Sequence, residues 1–270
     1  MLTERLSFWR ALPMLVLTFA ATNFSFAQSL PWMNPVLPPA QRAAMLVAAM
    51  TLDQKIEQIH GQPGPIPEVP SCGNGGRHVS AIPQLQIPTF RITNGPVGIG
   101  AGDCTPQAQA TALPSSLALA ATWDRNAAAA YGDLIGREAI DVGVHVVEGP
   151  GMNMLRVPQG GRNFEYLAED PFLAGALATA EIKAIQNHGI IAMAKHFVAN
   201  EQEANRMTVN EIIDARTLHE IYLLPFEMSV KDGDVAAVMC AYPRVNGTYN
   251  CENDLLHDTL RALWGFQGYV

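Results

Sequence analysis

Twice in the second half of the chain a helical stretch leads into a short, wholly apolar run that ends on polar residues. PFLAGALATAEIKAIQNHG, Pro171 to Gly189, carries helical apolar spacing and closes on a glycine, and IIAMAKHF, Ile190 to Phe197, follows as a strand. ARTLHEIYLLPFEMSVKDG, Ala215 to Gly233, and VAAVMCAY, Val235 to Tyr242, repeat the unit. An Ala-rich helix over Thr122–Val142 leads into VHVVEGP, Val144 to Pro150, a strand cut off by Gly-Pro. A helix over Asn253–Gly265 runs into GFQGYV, Gly265 to Val270, which reads as the opening of a further strand.

Strands alternating with helices of this length require βαβ units and a parallel sheet, and strands apolar along their whole length are what burial on both faces demands. An open doubly wound sheet and a (β/α)8 barrel both satisfy the pattern. No G-x-G-x-x-G follows a strand, and polar groups recur at several strand ends, which favours the barrel. The expected fold is α/β: a TIM-barrel-like domain over residues 28–270, incomplete at its C-terminus.

A parallel α/β barrel builds its site at the C-terminal ends of the strands. Those ends carry Glu148 with the GPGMNMLR loop reaching Arg156, then Lys195 and His196, then Cys240 and Tyr242. An ordinary reading stands beside each: a charge at a strand end is where the chain meets water, and Lys195 with His196 is a solvated pair. Glu165, Glu169 and Asp170 are candidate carboxylates, better explained as capping the helix at Pro171 and pairing with Arg162. Glu201 and Glu203 read equally as a loop satisfied by Arg206.

GPGMNMLR, GRNFEYLAEDP, AKHFVANEQEANR and VMCAYPRVNG, with CEN and LRALWGFQGYV after them, occur in the order and spacing that resemble the N-terminal domain of family-3 glycoside hydrolases. These are retaining β-glucosidases, β-xylosidases and their relatives. The resemblance runs from about Leu52 to the last residue. It implies a (β/α)8-type first domain and hydrolysis of a terminal β-linked sugar, glucose or xylose, through a covalent glycosyl-enzyme intermediate, with no cofactor. It also implies that Arg156, Lys195 and His196 hydrogen-bond the hydroxyls of the sugar being cleaved and that Tyr242 lines the same pocket.

Where the family has Asp in a DGP motif, this chain has Asn94 in ITNGPVG, an amide that binds hydroxyls without charge assistance. The arginine that often follows is replaced by the run VGIGA, Val97 to Ala101. In the family the nucleophilic aspartate follows GF-x-G-[FY]-V at once, so it is expected just after Val270, and the acid/base further on. Retaining hydrolysis needs both carboxylates, so the 270 residues are expected to be inactive alone and prone to aggregation at an unpaired edge. A non-catalytic exported sugar-binding protein is the main rival, and a Schiff-base aldolase using Lys195 the lesser one.

Arg5 and Arg10 before ALPMLVLTFAA, and SFA at Ser25 to Ala27, form a secretory leader cleaved after Ala27, so the product is expected to be exported, periplasmic or extracellular. Four cysteines suit that compartment; of the three possible pairings, Cys72 with Cys104 and Cys240 with Cys251 each close a local loop, and the family resemblance also carries the second. No C-x-x-C spacing suggests zinc. A net charge of -8 argues against nucleic acid as a partner. PPAQRAAMLVAAMTLDQKIEQIH, Pro38 to His60, reads as two helices with Thr51 as an N-cap, and Gln62–Gly76 as a Pro- and Gly-rich loop.

Overall fold

The computed structural model describes residues 30–62, 66, 78–100 and 110–270. The expected leader over residues 1–27, most of the Pro- and Gly-rich loop, and Cys72 and Cys104 lie outside the described residues. The chain divides into two compact units, Met1–Ala49 and Met50–Val270.

In the first unit a 3-10 turn, Pro31–Met33, precedes helix α1, Pro39–Ala49, and Arg42 Nε donates to Trp32 O at 2.6 Å. The second unit opens with α2, Leu52–Glu57, which starts where the sequence places it. Thr51 Oγ1 accepts from Gln54 N while Gln54 Oε1 accepts from Thr51 N, a reciprocal capping box.

The main sheet of the second unit comprises β1, His78–Val79, β2, Phe90–Asn94, β3, Val146–Glu148, β4, Ile191–Phe197, and β6, Ala237–Cys240, in that spatial order. β1 is antiparallel to β2; every other pairing is parallel. β2 was not marked out individually in the sequence, because FRITN alternates buried and half-buried residues rather than forming an apolar run. Tyr269 forms an isolated parallel bridge to Ala237, which sets the GFQGYV stretch beside β6. This is an open arc of a parallel α/β barrel. A small three-stranded sheet, β5 Asn210–Glu211, β7 Arg244–Val245 and β8 Thr248–Tyr249, lies in the loops.

Helices α3, Ser116–Ala120, α4, Arg125–Asp141, α5, Pro171–Gln186, and α7, Leu224–Lys231, supply the other half of the core, while the short α6, Ala215–Thr217, buries no residue. Asp124 caps α4 and Asp170 caps α5, whose N-terminal proline needs no amide partner. α4 packs closely on α5 because Gly132 lacks a side chain: a Cβ there would sit 2.4 Å from Glu181 O. The core includes Ile135, Leu177, Ile182, Phe197 and Phe226, while a smaller cluster of Val146, Met193 and Ala237 lines the inside of the arc.

Two helices differ from expectation. The stretch Ala215–Gly233 is not one helix: a π turn, Leu218–Tyr222, separates α6 from α7, because Pro225 has no N–H to continue the ladder and the chain re-enters at a new helix start. Asn253–Gly265 forms a 3-10 turn, Asp254–Leu256, and then a π turn, His257–Leu263, closed by Trp264 N to Thr259 O at 3.0 Å. Among the described residues no helix is long and apolar enough to cross a membrane.

Candidate functional site

Side-chain alternation along the parallel strands decides what faces the inside of the arc. On β4, Ala192 and Ala194 join the core under the helices and Met193 joins the inner cluster, so Lys195 also takes the inner face, near the strand's C-terminal end. By the same count Asn94 on β2 and Glu148 on β3 take that face, and the register sets them opposite each other. Three neighbouring strands thus deliver Asn94, Glu148 and Lys195 to one rim. Past Lys195 the regular alternation breaks: the Lys195–His196 and Phe197–Val198 peptides are cis, and the register on β6 skips a residue between Lys195 and Phe197.

The reading of Lys195 and His196 as a solvated pair is overturned, since they are 1% and 2% exposed. Lys195 Nζ lies 3.2 Å from Glu165 Oε2, and Arg162 Nε donates to the other Glu165 oxygen. Arg162 reaches Glu203 at 3.7 Å, and Arg206 Nη1 donates to Glu203 Oε2 at 2.6 Å. Alternating charges therefore run from the buried Lys195 outward. Burial pulls the Lys195 ammonium below its ordinary pKa, while Glu165 and Glu148 pull it back. As an ammonium the group carries three N–H donors, and Glu165 Oε2 stands 3.2 Å from its nitrogen.

His196 is bracketed by Asn153, whose Oδ1 accepts from His196 N at 2.9 Å and whose Nδ2 donates to His196 O at 3.0 Å. Its Nδ1 lies 3.2 Å from the same Oδ1 and 3.3 Å from Tyr166 Oη, while its Nε2 is buried without a partner. Burial, and then the cations Lys195, Arg162 and Arg206, hold the ring well below its usual pKa, so it is a neutral imidazole. Asn200 donates to Tyr166 Oη and Glu203 Oε1, and its own Oδ1 is buried and unsatisfied.

The remaining candidates fall in several places. Tyr242 is half-exposed at the outer end of the charge chain, with the Arg206 guanidinium 5.0 Å from its ring centroid. Arg156 is exposed and turns elsewhere: Nη1 donates to Tyr222 Oη at 2.8 Å, and the guanidinium stands 5.7 Å from that ring's centroid. It lines a cavity of about 470 Å³ with Leu117, Trp123, Asn163 and Glu169, a cavity that Lys195 does not line. Asp170 caps α5 and Glu165 pairs with Arg162, as expected; the tie of Glu165 to Lys195 was not visible in the sequence. Glu203 pairs with Arg206 as read, whereas Glu201 accepts from Met154 N at 3.2 Å and is pushed by burial up to about 8.

Cys240 and Cys251 form a disulfide with Cα atoms 5.3 Å apart, closing the loop that carries Tyr242. Among the described residues no group of three His, Cys, Asp or Glu side chains is placed to hold a metal ion. Asn153, Tyr166 and Asn200 were missed as site residues. For Asn153 and Asn200 the available signal was a polar residue in the otherwise apolar runs GPGMNML and HFVAN; Tyr166, in GRNFEYLAEDP, had none.

Comparison with known proteins bears on this geometry. The family described as "Glycosyl hydrolase family 3 N terminal domain" matches residues 87–270. The chain is 43% identical over 194 residues to a protein named "Probable beta-glucosidase I" from Aspergillus flavus, covering 72% of this chain and 23% of that protein. It is 40% identical over 233 residues to "Beta-glucosidase B" from Emericella nidulans, covering 86% of this chain and 26% of that one. Among solved structures, DesR, a β-glucosidase from Streptomyces venezuelae in complex with D-glucose, superposes with a TM-score of 0.75 at 43% identity, over 85% of this chain and 28% of that one. β-Glucosidase 3B from Thermotoga neapolitana in complex with α-D-glucose gives 0.78 at 37%, over 85% and 33%. The chain thus spans about a quarter of the length of the curated relatives it matches.

Proposed function

The chain belongs to the glycosyl hydrolase family 3 N-terminal domain family, and on that premise we propose that it forms the sugar-binding floor of a retaining β-glucosidase-type glycoside hydrolase. The substrate is a terminal β-linked sugar, glucose or xylose. The observation that carries this reading is the end of β4, where the charged donor Lys195 is followed by two buried acceptors with no partner, His196 Nε2 and Asn200 Oδ1. A sugar hydroxyl is donor and acceptor at once, so a ring of hydroxyls satisfies a site built from both kinds.

In this proposal Asn94 and Glu148 complete the rim on the neighbouring strands, and Tyr242 closes its outer end. Glu165 holds the Lys195 ammonium in place, so that its free protons stay aimed at the sugar as positive charge develops at the anomeric carbon. Retaining cleavage needs two carboxylates roughly 5 to 5.5 Å apart. We assign that pair to segments belonging to the remaining length of the relatives, because Glu165 and Glu203 are committed to cations here. Arg156 reaches the sugar only by leaving Tyr222. The aldolase reading loses ground, because a Schiff base needs a free neutral amine and Lys195 is buried in an ion pair.

The leader pattern at Arg5–Ala27 supports export, and the Cys240–Cys251 disulfide is compatible with it. Calorimetric titration of the 270-residue chain with D-glucose and D-xylose tests the binding floor. Saturable binding abolished by Lys195→Met is expected; binding unchanged in that variant contradicts the reading.

A further inference from the structure

We propose that Asn153 is a positioning residue that fixes His196 as its Nδ1–H tautomer, leaving the buried Nε2 as a bare acceptor for a ligand hydroxyl. The argument starts from backbone groups, whose donor and acceptor roles are not adjustable. The Asn153 amide meets both polar groups of the His196 backbone, Oδ1 facing the N–H at 2.9 Å and Nδ2 facing the C=O at 3.0 Å. Turning the amide over would set oxygen against oxygen and N–H against N–H, so its orientation is determined.

Asn153 Oδ1 is therefore an acceptor, and at 3.2 Å from His196 Nδ1 it calls for a proton on that nitrogen. The second neighbour agrees. Tyr166 Oη has one proton and donates it to Asn200 O at 3.1 Å, so toward His196 Nδ1, 3.3 Å away, it offers a lone pair. Both groups facing Nδ1 are acceptors. A neutral imidazole has one proton, so Nε2 carries none, and Nε2 is the atom with no partner. Asn153 and His196 are each 2% exposed, so water does not readily compensate.

Naming the ligand group as a sugar hydroxyl rests on the proposed function; the tautomer does not. The inference gives the hydrogen bond a direction, with the hydroxyl donating to His196. A ligand whose hydroxyl at that position is replaced by an ether oxygen or fluorine loses that bond, while its contact with Lys195 survives.

The experiment is nitrogen-15 NMR of the 270-residue chain labelled at histidine, with the His196 signals identified by their loss in His196→Gln. The expected result is a protonated Nδ1 and an unprotonated Nε2 at pH 7, with no sugar present. A protonated Nε2, or an imidazolium, overturns the proposal. In Tyr166→Phe the tautomer is expected to persist, because Asn153 still faces Nδ1; a switch to Nε2–H there contradicts the assignment to Asn153. Adding D-glucose is expected to shift Nε2 selectively. The correct tautomer without any glucose response would uphold the role of Asn153 and count against the sugar-binding reading instead.

Discussion

Lys195 Nζ and Glu165 Oε2 lie 3.2 Å apart with side chains only 1% and 4% exposed, joining the end of β4 to the 3-10 turn Asn163–Glu165. Leaving the Lys195 ammonium buried without Glu165 costs about 3–5 kcal/mol, whereas removing both takes away the stranded charge and leaves Arg162 with Glu203 at 3.7 Å. Glu165→Gln should destabilise by about 3 kcal/mol and Lys195→Met by less, because Arg162 still pairs Glu165, and the double variant by clearly less than their sum. Urea unfolding of the four proteins measures the coupling; additive losses would mean that the pair is not coupled.

Glu181 on α5 is buried with Oε1 unsatisfied, and burial pushes its carboxyl up to about 8. Between the ordinary value of about 4.3 and about 8, the folded chain holds a proton that the unfolded chain has released. Stability therefore falls as pH rises through that window, by up to roughly 1.4 kcal/mol per pH unit, and levels off above it. Glu181→Gln, isosteric and always neutral, should remove this contribution and stabilise the protein at pH 7. Denaturation midpoints of both proteins from pH 5 to 9 check it; parallel curves would refute it.

The Cys240–Cys251 bridge spans a sequence separation of 11. Closing so short a loop is worth about 2–3 kcal/mol, largely through the unfolded chain. Reduction should lower stability by that amount and loosen the loop carrying Tyr242. Thermal melts with and without reductant test it.

Gly132 on α4 admits Glu181 O where a methyl group would stand, 2.4 Å from the oxygen. Gly132→Ala, although it favours a helix intrinsically, should destabilise by about 1–3 kcal/mol through overpacking. A rise in the denaturation midpoint would show that α4 and α5 separate easily.

Much of this architecture was legible because βαβ units write themselves as long-period and unbroken apolar runs; β4 and α5 fall where those runs put them, and Tyr269 bridges to Ala237 within the run expected as a strand. β2 was harder, since FRITN mixes buried and half-buried residues. The π turns were invisible because helical spacing carries no mark of a widened turn, although Pro225 marked a break. At the site, strand ends pointed to Lys195 and His196, but their burial depends on Glu165, Asn153 and Tyr166, which reach them across sequence separations that no local pattern encodes. Arg156, which the family resemblance assigns to the sugar, has Tyr222 as its hydrogen-bond partner here, a pairing across 66 residues that no local pattern encodes.

The central claim is that the end of β4 is a floor for a sugar. A crystal structure of the 270-residue chain soaked with D-glucose tests it most directly. The account predicts the sugar on the inner rim, with hydroxyls within hydrogen-bond distance of Lys195 Nζ and His196 Nε2. Glucose bound instead in the cavity beside Trp123 and Arg156, with the β4 end unoccupied at saturating concentration, would contradict it.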